Sequence, residues 1–415
     1  MQPKDPAGPH RQEDVTRVAH DLVLYGARLL TGAGPFTPAA PVAADGWVAV
    51  ADGRVAALGH GVPPEAAERF DVEGDWLAPG YVDVHVHGGA GAAFPGGDVE
   101  DALRAVAFHR THGTTTTLAS LVTAAPEELR RAVDALAELV VDGEIAGVHL
   151  EGPWLAASRC GAHDPAQLRD PDPGELDELL ATGVVAMVTL APERVGALDA
   201  VRRVVGAGAT AAVGHTDADF GLTRAAIAAG ARHATHLFNA MAPLHHREPG
   251  PVVALLDDDR VTVELVTDGL HVHPALWEHA VRVAGAHRVA AVTDAMAAAG
   301  MPDGAYRLGR LDVEVVDRVA RLAGGDVDGL GAIAGSTATA DALFRNIVAH
   351  AAVPRTAALR RAVAMTASTP ARALGLPDVG ELAVGRRADI VGLSADLAVE
   401  AVYRSGERVP PWHER

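Results

Sequence analysis

Between residues 77 and 377 the chain alternates short apolar runs with longer amphipathic ones. Strand-length apolar runs separated by helix-period segments mark parallel strands joined by crossover helices. Strands are expected at 81–86, 114–118, 145–149, 184–190, 210–213, 234–237, 261–266 and 289–293. Helices are expected between most of them, as at 126–140, 174–181 and 274–283. Gly113, Gly183 and Gly230 stand where helices should stop. Eight such strands predict an α/β fold of the (β/α)8 barrel type. Residues 304–330 break the pattern with Leu311-Asp-Val-Glu-Val-Val316 and predict an inserted hairpin. Helices are expected again at 337–351 and 356–374.

The two ends of the chain read differently. Residues 21–31 predict a strand, followed by a loop through Pro35, Pro38 and Pro41. Residues 46–59 predict a hairpin turning at Asp52-Gly53. Residues 388–393 and 399–404 predict two more strands, with a turn at Ser405-Gly406. Neither end is large enough to bury a core alone. We therefore expect residues 21–77 and 380–415 to build one small β-sandwich domain, residues 78–379 to be the barrel, and residues 1–20 to be a disordered tail.

Composition narrows the function. The formal net charge of -19 repels nucleic acid and anionic membranes, so neither is an expected partner. An anionic substrate would need a local cation. Cys160 is the only cysteine, so no internal disulfide can form, which fits a reducing, cytoplasmic setting. No apolar run is long enough to span a bilayer, and the polar first twenty residues lack the apolar core of a signal peptide. Lys4 is the only lysine, so no carbamylated lysine can bridge metals in the folded body.

The candidate chemistry lies at the carboxyl ends of the expected strands, where barrels of this type hold their sites. Strand one ends in His85-Val-His87; residues two apart on a strand share a face, so both imidazoles can converge. Glu151 is expected just past strand three. Strands five to eight deliver His215, His236, Asp268 with His271, and Asp294. Two imidazoles and a carboxylate suit a divalent transition ion such as zinc. Glu151, His215 and His236 offer one such set. His85 and His87 offer a second, with Glu151 bridging and Asp294 as a ligand or a base. Metal-assisted hydrolysis follows from such a site. Asp268 and His149 read equally well as structural.

The chain resembles the amidohydrolase superfamily, and within it the N-acetylglucosamine-6-phosphate deacetylase family. The resemblance is carried by residues 78–88, 149–154 (His-Leu-Glu-Gly-Pro-Trp), 159–163 (Arg-Cys-Gly-Ala-His), Gly214-His215, 235–241 (Thr-His-Leu-Phe-Asn-Ala-Met), 247–250 (Arg-Glu-Pro-Gly), 268–271, Thr293-Asp294 and 334–336. It implies Glu151, His215 and His236 as metal ligands and Asp294 as the acid/base. It implies that Ala162, Asn239, Ala240, Arg247, His271 and the backbone of Ile333, Ala334 and Gly335 hold a sugar phosphate. His163 and His271 are candidates for polarising the amide carbonyl or binding hydroxyls. The expected reaction is deacetylation of N-acetylglucosamine 6-phosphate to glucosamine 6-phosphate and acetate, in amino-sugar catabolism or recycling. One or two divalent ions are expected, zinc first, then iron, manganese or cobalt. A homodimer is implied, because in related enzymes the phosphate-binding arginine can come from the neighbouring subunit.

Cys160 stands where a basic residue is common in the family. His245 and His246 are expected to be merely exposed, and His109, His112, His279 and His287 to be structural. Two rival readings are a hydrolase for another amide, such as a deaminase, cyclic amidase or dipeptidase, and a catalytically silent sugar-phosphate-binding protein.

Overall fold

Seven parallel strands lie side by side in chain order: Ala119–Val122, Val148–Glu151, Val185–Leu190, Thr210–Val213, His233–Ala234, Thr262–Leu265 and Val289–Ala291. This computed structural model describes residues 20–32, 43–324 and 331–412. The expected tail up to residue 19, the proline loop at residues 35–41, the end of the insertion at 325–330 and residues 413–415 lie outside the described residues.

The ring closes through strand one. Tyr81–Asp83 pairs in parallel with Thr114–Thr117, which continues past Leu118 into Ala119–Val122. On the other side the Asp294 N–H donates to the His85 carbonyl at 2.8 Å. Asp83, buried in the same strand, also accepts from the Thr293 hydroxyl at 2.5 Å. Strand one therefore touches strands two and eight, and the parallel strands make the expected eight-stranded barrel. Val82, Val84, Leu118, Met187, Ala212, Val266 and Val292 pack together in its interior. Helices surround it, several of them capped by a side chain at the start. Asp98, Asp172 and Asp219 each accept a backbone N–H at the start of Val99–Thr111, Pro173–Leu180 and Phe220–Ala229.

The chain ends do combine. Ile390–Leu393 pairs antiparallel with Trp76–Pro79, which pairs in parallel with the end of His20–Leu29. His20–Leu29 also pairs with Gly46–Ala51 and Ala66–Asp71. The result is one eight-stranded sheet around an apolar core that includes Leu24, Val48, Leu77, Ala388 and Ile390.

Several expectations shift. Strand three runs Val148–Glu151 rather than 145–149, so Glu151 is its last residue and not the one beyond it. Strand two reaches Val122, and strand six shrinks to His233–Ala234. The insertion is a three-stranded meander, Gly304–Leu308, Leu311–Val316 and Val319–Leu322, not a hairpin. Its Leu308, Val313, Val315 and Ala320 bury against Val122, Ala162, Met296, Ala298 and Ala334, which places the meander over one side of the barrel mouth. The expected helix at 356–374 is Arg355–Val363 and Thr369–Ala373 joined by a wider turn at Ala364–Ser368. No described helix is long and apolar enough to cross a membrane.

Candidate metal centre and active site

Six buried polar side chains meet at the carboxyl ends of strands one, three, five, six and eight: His85, His87, Glu151, His215, His236 and Asp294. Glu151 is the hub. Its Oε1 lies 3.1 Å from His215 Nε2, 2.9 Å from His236 Nε2 and 3.4 Å from His85 Nε2. Its Oε2 lies 3.2 Å from His87 Nε2 and 3.3 Å from His163 Nε2. Asp294 Oδ1 lies 3.3 Å from His87 Nε2. Two sets of atoms close enough to share an ion emerge: Glu151 with His215 and His236, and Glu151 with His85 and His87.

The hydrogen bonds fix which ring nitrogens carry protons. His215 Nδ1 meets the Arg159 carbonyl at 2.7 Å, and His87 Nδ1 meets the Ser120 carbonyl at 3.1 Å. A carbonyl only accepts, so both Nδ1 atoms donate. His85 Nδ1 likewise donates to the Glu264 carboxylate at 3.0 Å. Each neutral ring is left with a lone pair on Nε2 aimed at a carboxylate oxygen. Lone pair against lone pair is repulsive, and a divalent cation turns the same atoms into a ligand set. The residues therefore fit a bound metal ion.

His163 has the opposite tautomer. Its Nδ1 accepts the Thr123 N–H at 3.2 Å, so in the neutral ring Nε2 carries the proton. His163 is a donor beside the cluster rather than a further ligand. Burial and charge compete elsewhere. Burial alone would push His87 down, but with no cation in the cluster Asp294 and Glu151 outweigh it and raise the imidazole to about 9, so the ring takes up a proton in the position where a metal ion would replace it. Burial wins at His215, which falls to about 4. Asp294 is held below the usual carboxylate range against burial, by His85 and His87.

The backbone is bent to deliver these groups. His215, His236 and Asp294 have φ values of +48°, +26° and +49°, in the left-handed region. Side chains are uncommon there and cluster at functional sites. Each stands where a strand turns into its loop. Gly335 allows a second close approach: a Cβ on it would lie 2.8 Å from the Asp294 carbonyl, and its φ is +72°. Ser336 N–H donates to that carbonyl at 2.6 Å, and Ala334 N–H to Ala320 at 3.0 Å. The segment containing Ile333, Ala334 and Gly335 is thus laid between Asp294 and the meander.

The remaining expected residues spread outward. His271 Nδ1 donates to Asp268 at 2.7 Å, and its Nε2 faces Asp294 at 3.8 Å. Ala162 is buried beneath the meander. Asn239 Nδ2 is buried without a partner, and the neighbouring Ala240 carbonyl accepts from Thr216 at 3.0 Å. Arg247 is exposed on the loop before the helix Gly250–Asp257 and makes no ion pair among the described residues. It donates to His246 Nε2 at 2.8 Å, and His245 and His246 are exposed as expected. Cys160 is partly exposed and burial pushes its thiol up, away from nucleophile chemistry.

His149 is not part of the cluster. It bonds Ser120 Oγ and Thr189 Oγ1 at 3.0 and 2.8 Å as a buried support. Asp268 positions His271 and caps its loop. His109 and His112 are tied to Gly88 and Asp341. The residue that sequence reasoning missed is Glu264, a buried carboxylate in strand seven. The signal was present, an acid inside the apolar run Val261-Thr-Val-Glu-Leu-Val266.

The amidohydrolase family profile matches residues 76–409. The chain belongs to the amidohydrolase family. It is 37% identical to N-acetylgalactosamine-6-phosphate deacetylase of Escherichia coli O157:H7, over 93% of this chain and 98% of that one. It is 38% identical to N-acetylglucosamine-6-phosphate deacetylase of Vibrio furnissii, over 80% and 82%. Among solved structures, a variant of N-acetyl-D-glucosamine-6-phosphate deacetylase from Mycobacterium smegmatis in complex with N-acetyl-D-glucosamine-6-phosphate is 52% identical. It superposes with a TM-score of 0.88, covering 94% of this amidohydrolase and 99% of that chain.

Proposed function

We propose that this amidohydrolase removes the acetyl group from N-acetyl-D-glucosamine 6-phosphate, giving D-glucosamine 6-phosphate and acetate. The observation that carries the reading is Asp294, a carboxylate set beside the Nε2 lone pairs of His85 and His87 at the mouth of the barrel. The whole-length likeness to deacetylases of amino-sugar phosphates supports the substrate.

Glu151, His215 and His236 would hold one ion, and His85 and His87 with Glu151 a second. A bound divalent ion, zinc by donor preference with iron, manganese or cobalt as alternatives, supplies Lewis acidity and lowers the pKa of water toward neutrality. Asp294 takes the proton of the attacking water and returns it to the amide nitrogen as the C–N bond breaks. His163, protonated at Nε2, donates to the carbonyl oxygen as charge develops on it. His271 presents Nε2 to a sugar hydroxyl, and Asn239, Ala240, Ala162 and the backbone of 333–335 line the sugar. Arg247, without a carboxylate partner, is free to take the phosphate, whose charge the acidic body would otherwise repel. We propose a homodimer, in which that arginine serves its own or the neighbouring site, and a cytoplasmic location for a chain with one cysteine.

The test is acetate release from N-acetylglucosamine 6-phosphate, the unphosphorylated sugar and the galactose epimer, with and without chelator. Chelator-sensitive release from the phosphorylated glucose form is expected. Preference for the epimer would move the substrate to N-acetylgalactosamine 6-phosphate, as the similarity to the Escherichia coli enzyme allows. No release from a zinc-loaded sample would overturn the reaction and favour a silent binder.

A further inference from the structure

Beneath the histidine cluster, strand seven carries a carboxylate that strand pairing does not require. Glu264 is fully buried, at 0% exposure. Its Oε2 accepts from His85 Nδ1 at 3.0 Å and from the His236 backbone N–H at 2.9 Å. Its Oε1 lies 2.9 Å from His233 Nε2 and accepts from it. One side chain thus ties strand one to strand six and holds the imidazole of one ion set beside the backbone of the other.

We propose that Glu264 is the positioning residue of the His85–His87 ion site. A carboxylate on Nδ1 fixes the tautomer that frees Nε2, orients the ring and raises its basicity. His85 depends on that contact more than its neighbours do. His87 and His215 donate to backbone carbonyls, which no side-chain substitution removes. Among the described residues, His85 Nδ1 has only Glu264. A purely structural acid would be satisfied by His233 and the strand backbone, with no need to reach a candidate ligand. The inference rests on the two-ion arrangement proposed above.

Metal-free protein is titrated with zinc by calorimetry, and bound zinc is counted by mass spectrometry. The unsubstituted chain is expected to take two ions in separable steps. Glu264→Gln keeps the shape but makes the acceptor neutral, and one step is expected to weaken about tenfold. Glu264→Leu removes the acceptor, with about a hundredfold loss of the same step. Should Glu264→Leu fail to fold, Glu264→Gln still reads the effect. His85→Asn should abolish that step, and adding Glu264→Gln to it should change nothing further. Unchanged zinc binding in both Glu264 variants, equal weakening of both steps, or a single ion in the unsubstituted chain would overturn the inference. No zinc binding by the unsubstituted chain would instead overturn the metal reading beneath it.

Discussion

Asp294 stands where three influences cross. Its carboxylate is buried, faces His85 and His87, and lies 3.8 Å from His271 Nε2. Asp294→Asn keeps the shape and removes the proton acceptor. Turnover should fall by roughly 10²–10⁴-fold, while bound zinc and the melting temperature stay close to wild type. Wild-type turnover in the variant would end the assignment. This residue, like Glu151, His215 and His236, was legible in the sequence because each ends an apolar run, and strand ends converge in a barrel. Glu264 was not, because its meaning lies in partners 31 and 179 residues away. The proton on His163 was also hidden, since it is set by the backbone of Thr123.

At the level of elements, the helix Val99–Thr111 is pinned to the glycine turn after strand one. His109 Nε2 donates to the Gly88 carbonyl at 2.9 Å, and the ring is buried. Burial lowers the His109 pKa to about 4. The unfolded ring titrates near 6.5, so below that pH the unfolded chain gains a proton that the native chain refuses. The neutral ring's contribution is whole above about pH 6.5 and is lost as pH falls toward 4. His109→Gln retains a donor and does not titrate. Between pH 6.5 and 5 the unsubstituted chain should lose roughly 2 kcal/mol more stability than the variant, read by denaturant unfolding. Equal losses would show that His109 is not shielded. The helix itself was implicit in the alternation of the sequence. Its docking was not, nor was the third strand of the meander, whose residues 319–322 carry little period of their own.

For the molecule as a whole, the two chain ends are joined before the barrel begins. Trp76–Pro79 leads straight into strand one, and its partner Ile390–Leu393 comes from the far end of the chain. We propose that residues 21–77 and 380–415 act as one unit clamped to the barrel of 78–379. Ile390 is fully buried at that junction. Ile390→Ala should cost about 2–5 kcal/mol and lower the unfolding of sheet and barrel together. Tryptophan fluorescence and zinc release should shift as one transition; a sheet that melts while zinc stays bound would refute the coupling. The pairing of the ends was legible from the β-rich segments that could not build cores alone. The paths of individual strands were not, because His20–Leu29 changes partners along its length.

The left-handed backbone at His215, His236 and Asp294 has an evolutionary consequence. Each holds an L-residue where glycine would rest with less strain, at a cost of order 1 kcal/mol per site. Selection for heat tolerance in the absence of metal would favour glycine at all three positions, and selection in its presence would weigh that relief against the stability a bound ion supplies. At these three positions backbone ease is given up for side-chain chemistry, the trade of stability for activity written into single dihedral angles.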